Sequence, residues 1–306
     1  LLSRRQRQMC IRDRVRPMLS LIVRKIMSSS AYALSYTLQC FIERLDRYKA
    51  TGELLSALST IENDYEVSQD DEKAEVNEGV NPAISDAIDY EIAELKMYQE
   101  QAKSIVNETK AKQLLVALDK TFQKNEMLGA PRKALIFTAS RRTQEYLKNF
   151  LQNNGYNGKV VCFNGSNNDE DSKSIYRKWL SLYAGSKRIS GRTIIDRKQS
   201  LVDYFRTDAE IMIATESGAE GINLQFCSLL VNYDMPWNPQ RIEQRIGRCH
   251  RYGQKFDVVV VNFVNQLNYA DCRVYELLND KFNLFDGVFG SCLLYTSPSP
   301  RDVEES

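Results

Sequence analysis

The chain has 306 residues, is 43% hydrophobic and 26% charged, and carries a formal net charge of +1, which suits one large or two small globular domains and excludes a uniformly basic one. Seven cysteines without a C-x-x-C pair and a single histidine, His250, argue against a zinc cage and for free thiols in a reducing cytosol. No apolar run approaches the roughly 18 residues of a membrane helix; the short run at 18–23 is cut by Arg24 and Lys25.

Residues 1–14 show no amphipathic period, and neither does the stretch from Ser291 to about Asp302. Both look similar to translated adaptor sequence, so 1–14 and 291–306 are expected to lie outside the fold as non-native tails; native disordered tails are the other reading. From Val15 to Ala57 the spacing of Ile22, Ile26, Leu34, Leu38, Phe41, Ile42 and Leu45 predicts helices. Residues 62–79 are acidic and poor in apolar side chains, which predicts a solvated loop. Asn81-Pro82 then opens a helical tract to about Lys124, with Ile84, Ile88, Ile92, Leu114 and Leu118 along its apolar stripe. Residues 15–130 thus read as a helical region.

Residues 133–138 (KALIFT) are expected as the first sheet strand, followed by Ser140-Arg-Arg-Thr143 and a helix carrying Tyr146, Leu147, Phe150 and Leu151. A second strand, 159–163, ends in the Asn164-Gly165 turn. Residues 166–195 are polar and basic, with Lys173, Arg177, Lys178, Lys187, Arg188 and Arg192 among Tyr176, Trp179 and Tyr183. That interleaving suits nucleic-acid contact and equally a helix that buries its aromatics and solvates its lysines. A helix bearing Arg197 follows.

The densest stretch runs from Ile211 to Gln254. Strands at 211–214 and 229–233 flank Thr215-Glu-Ser-Gly-Ala-Glu-Gly-Ile-Asn223, where Gly218 and Gly221 would let backbone amides approach a phosphate or sugar at the carboxyl end of a strand. Pro236-Trp-Asn-Pro239 is a rigid turn before a helix over 240–249. Gln244, Arg248 and Arg251 are spaced four and three apart, one helical face, and two arginines beside a phosphate-sized site suit charge on a transferring phosphoryl group. A strand at 257–262 and an amphipathic helix over 270–284 complete the series. Alternating strands and helices imply an α/β fold, a parallel sheet with helices on both faces over 131–290.

These residues carry a resemblance. Thr215 to Leu224 is similar to motif V of superfamily 2 helicases, Gln244-Arg-Ile-Gly-Arg-Cys-His-Arg251 to motif VI, and the 133–143 block to motif IV. Asp234, Trp237-Asn-Pro-Gln240 and the ending His250-Arg-Tyr-Gly-Gln254 resemble the Swi/Snf-type branch, including its bacterial RapA-like members. The resemblance implies a RecA-like C-terminal lobe of a cytoplasmic, nucleoid-associated ATP-dependent translocase acting on double-stranded DNA. Arg248, Arg251 and Gln244 would serve ATP hydrolysis, and Gly221 and Asn223 would lie near the nucleotide sugar. Thr138, Ser140, Arg141, Thr215, Ser217 and Gly218 would lie near a nucleic-acid backbone.

ATP and Mg²⁺ are bound in such proteins mainly by a first lobe, and G-x-x-x-x-G-K-[ST] does not occur here: the one Gly-Lys pair is Gly158-Lys159, followed by Val160. The chain is therefore expected to begin after that lobe and to be inactive alone. A non-catalytic RecA-like binding or scaffold module, and an RNA helicase lobe, are the alternatives.

Overall fold

The computed structural model describes residues 25–51, 85–105, 108–236, 238–265, 271–277 and 294–295. Residues 1–14, the acidic run 62–79 and Trp237 lie outside them. The chain divides into two compact units after Glu108.

In the first unit, α1 (Ala31–Thr51) and α2 (Ser85–Ser104) are joined by an apolar seam. Ile42 meets Ile88 and Ile92, one turn apart on α2, with Leu45, Tyr48 and Leu95 around them. Lys49 pairs with Asp89 at 2.5 Å in the open, where such a bridge is worth no more than about 1 kcal/mol. Among the described residues no helix is long and apolar enough to cross a membrane.

The second unit opens with α3 (Thr109–Met127). The predicted helical tract is thus two helices, and the second belongs to the sheet domain: Ala111, Leu114, Leu118 and Phe122 are wholly buried in its core. Four-residue strands follow in alternation with helices: β1 (Ala134–Phe137), α4 (Arg141–Leu151), β2 (Val160–Phe163), α5 (Glu170–Leu182), α6 (Thr193–Thr207), β3 (Ile211–Ala214), β4 (Leu229–Asn232), α7 (Pro239–Cys249) and β5 (Val259–Asn262). A further helical stretch covers 271–277.

The strands lie in the order β2-β3-β1-β4-β5, all parallel, with Ala134 opposite both Ile211 and Leu229. Their apolar residues alternate between the faces with the period of two that a pleated strand imposes. Leu135, Phe137, Met212, Ala214 and Leu230 meet Leu201, Val202 and Phe205 of α6 on one face. Ala134, Ile136, Ile211, Ile213 and Val231 meet α3 and α4 on the other. Burial on both faces explains why the strands read as unbroken apolar runs. This is a parallel sheet with helices on both sides, the architecture expected from the sequence.

Leu294–Tyr295 pairs with β5 as β6, a two-residue parallel strand inside the segment expected outside the fold. The physical ground is plain, because the outer edge of β5 offers a row of backbone donors and acceptors to any extended segment.

Candidate nucleotide and nucleic-acid site

α7 organises the site. Asn238 caps its start by accepting the Gln240 N–H at 2.9 Å, and Pro239 sits in the first turn, where its missing N–H costs nothing. Ile242, Ile246 and Cys249 turn toward the core.

Arg245 shares that inward face and is only 4% exposed. Its Nε and Nη2 donate to one Glu216 carboxylate oxygen at 3.0 and 2.6 Å, and its Nη1 donates to Asn232 Oδ1 at 2.6 Å and the Asp234 carbonyl at 3.1 Å. The guanidinium lies 4.5 Å from the Phe137 ring centroid. Burial presses its pKa below the ordinary value, while Glu216 and Asp234 push it back up. Asn232 in turn donates to Asn262 at 2.7 Å, which links the ends of β4 and β5.

Asp234, 5% exposed, accepts the Ala139 N–H at 2.8 Å and Lys110 Nζ at 2.9 Å, so it ties the turn after β1 to α3. Gln144 of α4 donates to the carbonyls of Phe163 and Ile213 and accepts from Asn164. A belt of engaged polar groups therefore closes the carboxyl ends of the strands. Sequence reasoning passed over Arg245, Glu216, Asn232 and Gln144. The signal was available for Arg245, which falls three residues after Ile242 and four before Cys249, on the apolar stripe of its own helix.

The residues expected near a nucleic-acid backbone lie along this belt. Thr138 and Ser140 are fully buried. Ser140 caps α4 by accepting the Thr143 N–H at 3.1 Å, and the Thr138 hydroxyl donates to the Ser140 carbonyl, so both side chains face inward. Arg141 and Ser217 are half-buried, and Thr215 is buried with its N–H on the Phe163 carbonyl. Gly218 is packed tightly. A Cβ there would stand 2.7 Å from Asn164 Cα and 2.8 Å from the Phe163 carbonyl, so the missing side chain lets the loop close against the end of β2.

Gly221 and Asn223 are placed elsewhere. A parallel connection must bring the chain back to the amino end of the next strand, and residues 219–228 make that return. Asn223 lines a pocket of about 500 Å³ with Gly129, Pro131, Arg206, Phe226 and residues 253–256, segments that precede β1, β3 and β5. Gly221, at φ +77°, is exposed with open space around it.

α7 ends at this same side. Its Arg248 carbonyl accepts the Leu224 N–H at 3.0 Å, and Gln225 Nε2 donates to the Tyr252 carbonyl at 2.7 Å. Asn223, Arg248 and Arg251 are thereby brought into one neighbourhood, away from Thr138 and Ser140. Gln244 and Arg251 are exposed and Arg248 is half-buried. The helix stops at Cys249 and His250 is extended (φ −92°, ψ 92°), so Arg251 does not continue the helical face of Gln244 and Arg248. Its Nε instead donates to the Gly247 carbonyl at 2.7 Å, which holds the guanidinium over the last turn.

The 166–195 segment contains α5. Trp179 is 5% exposed and donates to Asp203 at 2.9 Å, so it is packing and not a stacking platform, whereas Arg177, Lys178, Lys187 and Arg192 remain in solvent. Arg197 donates to the Asn167 carbonyl and Asn168 Oδ1, both at 3.2 Å, and steadies the turn after β2.

Residues 117–253 match the model of the helicase conserved C-terminal domain. The chain is 41% identical over 158 residues to the uncharacterised ATP-dependent helicase YqhH of Bacillus subtilis, covering 52% of this chain and 23% of that protein. It is 32% identical over 155 residues to helicase SWR1 of Saccharomyces cerevisiae, covering 50% and 8%. A solved structure of the C-terminal part of the Fun30 ATPase domain covers 84% of both chains at 19% identity, with a TM-score of 0.39. The chain thus spans a quarter or less of the curated relatives it matches. Residues 117–253, which hold the parallel sheet and helix α7, thus match a helicase conserved C-terminal domain, and the relatives they resemble are ATP-dependent helicases, consistent with the Swi/Snf-type lobe expected from the sequence.

Proposed function

We propose that this domain is the C-terminal motor lobe of an ATP-dependent double-stranded DNA translocase. One observation carries the reading. Among three arginines in seven residues, Arg245 is locked into the sheet while Arg248 and Arg251 are left outward beside Asn223. The last turn of α7 and the turn after it thereby present guanidinium groups from a rigid base, which suits binding of phosphate oxygens.

ATP fits the donor set. Arg248 and Arg251 would hold terminal phosphate oxygens, Gly221 permits close backbone approach, and Asn223 offers an amide for a sugar hydroxyl. The nucleotide supplies the phosphoryl group; the residues here bind and orient it and offset charge as it transfers. Phosphate-loop and metal-binding residues are to be supplied by a first RecA-like lobe, and the 306-residue chain by itself is expected not to turn over ATP.

The test is steady-state ATPase, with duplex DNA, in a protein that joins this lobe to a first lobe. Arg251→Ala is expected to lower stimulated turnover by about 10³-fold, the scale of a lost arginine finger, with DNA affinity nearly intact. Turnover above about a third of the starting value would remove the finger assignment. Stimulation by duplex RNA equal to that by DNA would move the substrate to RNA.

A further inference from the structure

We propose that the basic half of the α5–α6 arm is a docking surface for the phosphate backbone of a nucleic-acid duplex, separate from the loops that carry motifs IV, V and VI. This rests on the reading of the lobe as a nucleic-acid translocase and names a contact that reading does not contain.

Charge along the arm is sorted. Asp169, Glu170 and Asp171 stand at the start of α5, where acidic groups suit the helix dipole. From Arg177 to Lys198 the sequence then carries seven Lys and Arg residues against Asp196 alone, in a chain whose net charge is +1. The carboxylates within reach are already engaged. Asp196 is 2% exposed and accepts the N–H groups of Ser190 and Gly191 at 2.8 and 3.1 Å. Asp203 is 8% exposed and accepts from Trp179 and Gln199, with Arg188 at 3.6 Å. Arg177, Lys178, Lys187 and Arg192 are exposed and make no ion pair among the described residues. Four solvated cations outside any ion pair, of which only Arg177 feels a carboxylate, the exposed and Lys173-paired Glu170, form a local positive field that the formal charge of the whole chain conceals.

The same geometry disfavours a lipid surface. An interfacial helix needs an apolar face turned outward, whereas Trp179 is buried and Ile175 packs against the core. Leu182 and Ile194, each 74% exposed, and Ile195, 48% exposed, are too few to make such a face. Glycines at positive φ, Gly185 and Gly191, shape the link between the helices and leave Lys187 and Arg192 on it. Phosphates spaced along a duplex match such scattered point charges better than a single small anion does.

The experiment uses the 306-residue chain and a labelled random-sequence DNA duplex, with anisotropy isotherms over a salt series. The wild-type chain is expected to bind weakly, with log affinity falling linearly against log salt. In the Arg177→Ala/Lys178→Ala/Lys187→Ala/Arg192→Ala variant, each lost phosphate contact removes about 0.9 from that slope, so the slope should shrink by about 2 to 4. Lys187→Glu/Arg192→Glu lies in the link up to the α6 N-cap, where the Arg192 side chain makes no capping bond, so it decides the matter if the fourfold variant unfolds; it should shrink the slope by about 1 to 2. Slopes and affinities unchanged in a folded variant overturn the arm while leaving the translocase reading standing. A wild-type chain that binds no duplex even at low salt overturns both. Binding to phosphatidylserine vesicles as tight as to DNA, and lost in the same variants, assigns the surface to a membrane and overturns the proposal.

Discussion

The arginines of α7 and of the turn after it use the same side chain in opposite ways. Just past the middle of the helix, Arg245 is buried, with its guanidinium shared among Glu216, Asn232 and the Asp234 carbonyl and laid against Phe137. Near the finish, Arg248 is half-buried and Arg251 exposed, and among the described residues neither makes an ion pair. Three residues of helix separate the first two, yet one is a structural bolt and the other is free to meet an anion. A helix that must present charge reproducibly needs an immovable base, and Arg245 supplies it by joining α7 to the ends of β3 and β4. Rigid support beneath a reactive group is what holds it in productive geometry.

The largest effect on the fold is expected at that base. Arg245→Ala leaves Glu216 and Asn232 without their buried donor, a class of change that costs about 3–5 kcal/mol when the partner stays charged and dry. Glu216 is 24% exposed, so water relieves part of this and about 3 kcal/mol is expected. Urea unfolding of the 306-residue chain measures it. A loss below about 1 kcal/mol, the scale of an exposed ion pair, would place Arg245 with its solvent-facing neighbours and erase the contrast.

The difference between the two ends also marks what sequence discloses. The strands at 211–214, 229–232 and 259–262 were legible because apolar runs of that length between turn residues have few other uses. The parallel order followed from their alternation with helices. Motif residues were legible as types, but not in orientation. Helical spacing put Gln244, Arg248 and Arg251 on one face, because spacing cannot show that the helix stops at Cys249. Gly218 and Gly221 looked alike in the sequence, yet one is pressed against β2 and the other stands in open space. Thr138 and Ser140 were expected beside a nucleic-acid backbone, and their hydroxyls turn inward, Ser140 to cap α4 and Thr138 to the Ser140 carbonyl. For Gly218 the deciding fact is a contact with β2, distant in sequence; for Thr138, Ser140 and Arg251 it is a short-range hydrogen bond whose direction a residue pattern does not carry.

A second, smaller effect extends the contrast into the loop after β3. Gly218→Ala sets a methyl group 2.7 Å from Asn164 Cα and 2.8 Å from the Phe163 carbonyl, and both are backbone atoms that cannot swing aside. Overpacking of this sort costs about 1–3 kcal/mol. Gly221 sits at φ +77° with nothing near its Cβ position, so Gly221→Ala meets backbone strain alone, about 1 kcal/mol. Thermal unfolding of the two variants side by side tests the order. Should Gly221→Ala prove the more damaging, the loop is held by its turn and not by its contact with β2.

The smallest effect on stability is expected where the largest effect on chemistry is proposed. Arg248→Ala removes a half-buried side chain with no ion pair among the described residues. Arg251→Ala removes an exposed one whose single recorded bond, Nε to the Gly247 carbonyl at 2.7 Å, caps a helix end that water can solvate. Surface changes of this kind stay within about 0.5 kcal/mol. The fold therefore gives no reason for arginine at either position, and a requirement for arginine must come from what the side chain meets outside the lobe. Lysine substitutions sharpen the point. Arg251→Lys should match wild type in urea midpoint, yet restore little turnover in the two-lobed protein, since a point charge does not reproduce a planar fork on phosphate oxygens. An Arg248→Ala or Arg251→Ala midpoint displaced as far as that of Arg245→Ala would show that all three arginines bolt the helix down, and the outward end of α7 would lose its claim to chemistry.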